Sequence, residues 1–152
     1  MASVFISYAR ANQDEVKRLV EELREEGHET WLDVKLDGGQ PWWDKILFEI
    51  GKSQIFVTTL TPESLESQAC QRELKYAFDL KRPLLPIRLS SAVQMQSLSP
   101  IIRNLQVVDY LEQDTKTLRS LQRAIKSLPE APPLPDPLPA PPPFPSHMWL
   151  TC

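Results

Sequence analysis

The sequence predicts an α/β domain built on a five-stranded parallel sheet with helices on both faces. Two observations carry that prediction. Short apolar runs such as Val4-Phe5-Ile6 and Ile55-Phe56-Val57 read as strands buried on both sides. Amphipathic segments of helical spacing lie between such runs, and strand-helix alternation of this kind produces a parallel sheet with both faces covered.

The elements follow in order. After the first strand, Val16, Leu19, Val20 and Leu23 fall at i, i+3, i+4 and i+7, a helix stripe that Gly27 closes. A second strand spans about 29–32. Trp43, Ile46, Leu47 and Ile50 repeat the helical spacing before the third strand at 55–57. Thr61 then Pro62 predict a helix N-cap and first turn, because proline's missing N–H is not needed there, and this helix is expected to run to about Leu80. Residues 83–89 give a fourth strand, whose bounding prolines suit the edge of a sheet or the beginning of a strand better than its centre. A weak helix near 96–104 precedes a fifth strand at Val107-Val108. Leu118, Leu121, Ile125 and Leu128 mark the closing helix, which Pro129 ends. Five strands and five helices make a flavodoxin-like α/β domain over residues 1–128.

Beyond it, ten of the fifteen prolines fall between Pro129 and Pro145. Each proline removes a donor and fixes φ, so neither helix nor ladder is expected there. Residues 129–145 read as a proline-rich linker that could reach roughly 50 Å as a polyproline II spacer. Residues 146–152 are too few to fold and read as a stub leading to a further module. The formal charge of −3 gives no general attraction to nucleic acid or anionic membrane. No apolar run approaches the roughly 18 residues of a membrane span, so the expectation is a cytoplasmic chain with no nucleic-acid partner and no direct membrane contact. Cys70 and Cys152 form no CxxC, and His28 and His147 stand apart, which leaves no disulfide framework, histidine triad or metal site to propose. His28, beside Gly27, reads as a cationic surface residue at a helix C-terminus. No glycine-rich phosphate loop is present.

Ligands of parallel α/β sheets bind at the carboxyl ends of the strands, where Ser7-Tyr8-Ala9-Arg10 leaves the first strand. Position makes Tyr8 and Arg10 candidates, although packing and solvation would also account for them. Residues 33–43 form a loop bent by Gly38 and Gly39 and entering a helix through Pro41-Trp42-Trp43. Neighbouring tryptophans differ by about 100° around a helix, so they cannot share one face. Trp43 keeps the apolar stripe and belongs to the core, which leaves Trp42 as the ring free to stack on a ligand or to pack under the loop. Glu73 lies on the helix after Pro62 with Cys70 and Ala77 on its face, where a glutamate is usually a solvated residue.

Three segments together resemble the TIR domain: Val-Phe-Ile-Ser-Tyr-Ala-Arg at 4–10, Trp-Leu-Asp into Trp-Trp-Asp at 31–44, and Ser-Gln-Ala-Cys-Gln-Arg-Glu-Leu at 67–74. The resemblance implies that Glu73 occupies the place of the essential carboxylate in NAD-cleaving TIR enzymes. It also implies that Tyr8 and Arg10 contact the dinucleotide, with Trp42 beside them. The loop bearing Asp33, Leu36, Gly38 and Gly39 would be the BB loop, which mediates contacts between TIR domains. NAD+ would be a substrate and no cofactor would be needed. One departure stands out, since such enzymes commonly carry tryptophan four residues before the glutamate and Ala69 stands there instead. The implied function is an NAD+ nucleosidase of a bacterial signalling or defence protein that self-associates with other TIR domains. The alternative is a TIR scaffold that acts by association alone.

Overall fold

The structure, a computed structural model, describes residues 2–32, 39–112 and 114–145. Five strands, β1 (Ser3–Ser7), β2 (Glu29–Leu32), β3 (Ile55–Leu60), β4 (Leu84–Arg88) and β5 (Val108–Asp109), form one all-parallel sheet in the order β2-β1-β3-β4-β5. Helices α1 (Gln13–Glu25), α2 (Gln40–Lys52), α3 (Pro62–Glu66), α4 (Gln68–Asp79), α5 (Pro100–Arg103) and α6 (Thr115–Ser127) connect and cover it. Among the described residues no helix is long and apolar enough to cross a membrane.

Strand alternation divides the core in two. Ile6, Val57, Leu85 and Ile87 meet Val16, Leu19, Val20 and Leu23 of α1 and Leu121 of α6 on one face. On the other, Phe5 and Phe56 meet Trp43, Ile46 and Ile50 of α2 and Leu74 and Ala77 of α4. Trp31, Phe5 and Phe56 sit opposite one another on β2, β1 and β3, and Phe5 stacks on both neighbours at centroid distances of 5.1 and 5.4 Å. Burying each such side chain is worth about 1.5–3 kcal/mol.

Local chemistry ends the elements where the sequence suggests. Gly27 adopts φ +90°, while its N–H donates to Arg24 and that of His28 donates to Leu23. This Schellman arrangement satisfies two orphan carbonyls of α1 and turns the chain into β2. His28 is not the free surface cation expected: its Nδ1 accepts the Ala2 N–H at 3.1 Å, which requires that nitrogen unprotonated. Pro86 lies inside β4, a strand flanked on both sides, and is accommodated by phase. Pro83 and Leu89 bond to β3 while Arg88 accepts from Tyr110, so even-numbered residues of β4 face β5. The pairing with β5 begins only at Ile87, so no ladder bond is missing at Pro86.

Two further expectations are corrected. The single helix from 62 to 80 is two, α3 and α4, because Ser67 has extended backbone (φ −77°, ψ 119°) and its side chain accepts the Cys70 N–H as N-cap of α4. Residues 129–145 do not project as a spacer. They fold back along α2 and α4, with a bend at 136–137. Pro132 O accepts from Arg82 Nη2, Pro142 O from Trp43 Nε1 at 2.9 Å and Pro143 O from Arg72 Nη1 at 2.8 Å, while Phe144 packs on the α2–α4 side of the core.

Candidate functional site

In the order β2-β1-β3-β4-β5 the chain direction of sheet growth reverses between β1 and β3, and the crevice outside their carboxyl ends is where ligands of such sheets bind. Ser7 is the last residue of β1 and stands opposite Thr58 of β3. Its side chain points to the α4 side and donates a 2.7 Å hydrogen bond to Glu73 Oε1. Glu73 therefore lies at this reversal point, not on a solvated helix face, and it is 0% exposed.

A polar network fixes the surroundings. Thr59 Oγ1 donates to Ser7 O at 2.8 Å, and Ser64 Oγ donates to Thr59 O at 2.7 Å. Thr61 and Ser64 form a reciprocal capping box at the start of α3, and Thr61 Oγ1 also donates to Asn12 Oδ1 at 2.6 Å. Asn12 Nδ2 in turn donates to Glu63 Oε1 at 3.0 Å. These bonds tie the β1–α1 turn, the end of β3 and α3 into one body, and the Ser67 cap then sets the path of α4 that carries Glu73.

The expected site residues are only partly brought together. Arg10 is exposed, in a 3-10 turn just past β1. Tyr8 is not directed to Glu73: it is buried in the cluster on the α1–α6 face, on the other side of the sheet. The physical reason is the two-residue alternation of β1, which continues through Tyr8 and puts it with Val4 and Ile6, while Phe5 and Ser7 share the α4 side. Ser7 is thus the partner of Glu73 that attention to the aromatic-arginine pair passed over. Trp43 is fully enclosed as expected, and Trp42 is half-buried with its ring 6.0 Å from that of Trp31. Gly39 is the N-cap of α2 with φ +105°, a conformation that favours glycine. Asp33, Leu36 and Gly38 lie outside the described residues. Ala69, one turn before Glu73, is 0% exposed, so its methyl is part of the packed core.

A separate cleft of about 400 Å³ opens on the other flank of α4, lined by Thr58, Cys70, Gln71, Lys75 and Ser99 among others, and Glu73 does not line it. Among the described residues no group of three His, Cys, Asp or Glu side chains could hold a metal ion. The chemistry on offer is that of a single enclosed carboxylate, oriented by a hydroxyl, at the mouth of a parallel sheet. In such low-dielectric surroundings an ionised carboxylate acts on a developing cation far more strongly than in water.

Comparison with known proteins agrees with this architecture. No curated protein sequence matches the chain. The TIR domain of the Toll-related receptor TRR-2 from Hydra magnipapillata is similar over 82% of this chain and 98% of its own, with 20% identity and a TM-score of 0.66. The TIR domains of the activated Roq1 resistosome are similar over 82% of this chain and 99% of theirs, with 16% identity and a TM-score of 0.62. Clostridium botulinum BcmB, a CMP N-glycosidase, shares the fold over 80% of this chain and 98% of its own, with 14% identity and a TM-score of 0.58. The TIR domain family model matches residues 4–125, most of the folded part, and the chain belongs to the TIR domain family.

Proposed function

We propose that this TIR domain is an NAD+ nucleosidase in which Glu73 is the catalytic carboxylate. The observation that carries the reading is the enclosure of Glu73 at the reversal point of the sheet, held by Ser7 Oγ at 2.7 Å. Support also comes from BcmB, whose similar fold serves an N-glycosidase acting on a nucleotide.

The reaction suits one carboxylate. When the bond between nicotinamide and ribose C1′ breaks, its electron pair neutralises the pyridinium nitrogen, so the leaving group needs no proton. Positive charge grows on the ribose ring, and Glu73 stabilises it and holds the ribose hydroxyls. Water adding at C1′ and losing a proton gives ADP-ribose; attack by an atom of the same molecule gives a cyclic isomer. In this reading Arg10, exposed beside the end of β1, meets phosphate oxygens and Trp42 stacks on a ring of the substrate. Self-association through the loop that contains Asp33, Leu36, Gly38 and Gly39 completes the proposal. A rate strictly proportional to protein concentration would remove that last part.

The alternative, a scaffold that only associates, draws on the same burial of Glu73, since an enclosed carboxylate bonded to Ser7 could serve packing alone. The deciding experiment measures nicotinamide release from NAD+ by the full chain and by Glu73→Gln at high protein concentration. Release that vanishes in the variant supports the enzyme. Absence of release from the wild-type chain, self-associated and folded, favours the scaffold.

A further inference from the structure

We infer that the α2–α4 face is a polyproline-binding surface whose occupant is the chain's own segment 132–145, and that this docking closes access to Glu73.

The chemistry of the contacts carries the first half. Proline has no N–H, so a proline-rich strand can be recognised through its backbone only by donors aimed at its carbonyls. The three hydrogen bonds from α2, α4 and the turn after α4 have that sense: Arg82 Nη2 to Pro132 O, Trp43 Nε1 to Pro142 O and Arg72 Nη1 to Pro143 O. Aromatic-lined grooves are what proline-rich ligands dock on in general. Between the anchors, Leu134 passes over Gly51, where a Cβ would stand 3.9 Å from Leu134 Cδ2.

Geometry carries the second half and rests on the NAD-cleaving reading above. The segment runs from Gly51 near the end of α2 back to Trp43 near its beginning, towards the carboxyl ends of the strands. Its last anchors, Trp43 and Arg72, lie in the first turn of α2 and the second turn of α4, the ends of those helices that adjoin the carboxyl ends of the strands. Phe144 adds its ring to the same side of the core, and Pro145 is buried. Glu73 is 0% exposed with the segment docked. A dinucleotide cannot touch a fully enclosed carboxylate, so a cover must leave, and the strap is held by side-chain donors and apolar packing and belongs to no ladder of the sheet.

The test uses the full chain with Leu134→Asp and Phe144→Asp, which undock the strap by placing charge against apolar surface, and a fluorescently labelled peptide of residues 129–145. A tethered segment competes at an effective concentration of about a millimolar, so the peptide should bind the double variant at least about tenfold more tightly than the wild-type chain. Adding Arg72→Ala to the variant should weaken that binding. Equal binding to both chains, or none to a double variant with unchanged circular dichroism, overturns the surface. In the activity arm, the double variant should release nicotinamide faster than the wild type, with the peptide reversing the gain; equal rates overturn the gate. Specific peptide binding with no release from either chain overturns the NAD-cleaving reading, and the gate with it, while the surface stands.

Discussion

Ser7 Oγ lies 2.7 Å from Glu73 Oε1, joining the last residue of β1 to the second turn of α4 across 66 residues of sequence. Both residues are enclosed, at 1% and 0% exposure, so the bond is shielded from competing water. Hydrogen bonds to charged groups contribute about 1.5–3 kcal/mol, and a carboxylate in the interior cannot replace a lost donor with bulk solvent. Ser7→Ala should therefore lower the unfolding free energy by about 1–3 kcal/mol, read from the urea midpoint at unchanged slope. If Ser7 also orients Glu73 for catalysis, kcat for nicotinamide release should fall about tenfold with KM little changed, as for an interaction made in the transition state. A rise in KM alone would assign Ser7 to substrate binding.

The strands and helices were legible because apolar spacing is a direct record of which side faces the core. Ile55, Phe56 and Val57 read as a doubly covered strand, and Leu19 and Val20 as part of one helix face, and the two core clusters agree. The site was legible in part. Glu73 stands where the TIR resemblance puts a carboxylate, yet its partner required carrying the alternation of β1 one residue further, to Ser7 and away from Tyr8. The break between α3 and α4 was hidden because Ser67 interrupts no apolar stripe; its effect lies in backbone dihedrals and a cap. The docked strap was unreadable for a different reason. Prolines announce that no ladder forms, but the donors that meet Pro132, Pro142 and Pro143 lie 50, 99 and 71 residues away.

Ala69 gives a prediction about the missing indole. The TIR resemblance implies tryptophan at this place in NAD-cleaving enzymes, but here Ala69 is 0% exposed within the α2–α4 core cluster. Forcing extra atoms into a packed core costs about 1–3 kcal/mol or more. Ala69→Trp should lower the melting temperature and should not raise nicotinamide release. A variant as stable as the wild type with greater release would show that the neighbouring side chains yield to form a pocket.

His28 sets a pH dependence whose sign can be worked out. Burial pushes its imidazole below the ordinary value of 6.5, and Nδ1 already accepts the Ala2 N–H. With the folded value below the unfolded one, the unfolded chain binds more protons between the two. The contribution of this residue is therefore fully present above the unfolded value, is lost as pH falls through the window below 6.5, and is constant beneath the folded value. Urea unfolding of wild type and His28→Asn at pH 7.5 and 5.0 (about one unit or more on either side of a free histidine) checks it. The wild type should lose more stability than the variant on acidification, and equal losses would contradict the assignment.

Two glycines predict opposite outcomes for the same substitution. Gly39 caps α2 at φ +105°, and among the described residues a Cβ there would meet only Pro41 Cδ at 3.8 Å, so the obstacle to alanine that these residues present is backbone conformation. Gly39→Ala should cost about 1–2 kcal/mol and disturb the entry to α2 that bears Trp42. Gly51 lies within α2 at ordinary helical dihedrals, and its Cβ would stand 3.6 Å from Leu80 Cδ1 and 3.9 Å from Leu134 Cδ2, which is normal van der Waals contact. Gly51→Ala should stabilise by about 0.5–1 kcal/mol, since alanine loses less backbone entropy on entering the helix. Because the new methyl also touches the strap, cleavage by an added protease within 129–145 should slow in Gly51→Ala. A destabilised Gly51→Ala chain would mean that Leu134 cannot accept the contact and that the strap lies more tightly on α2 than its distances indicate.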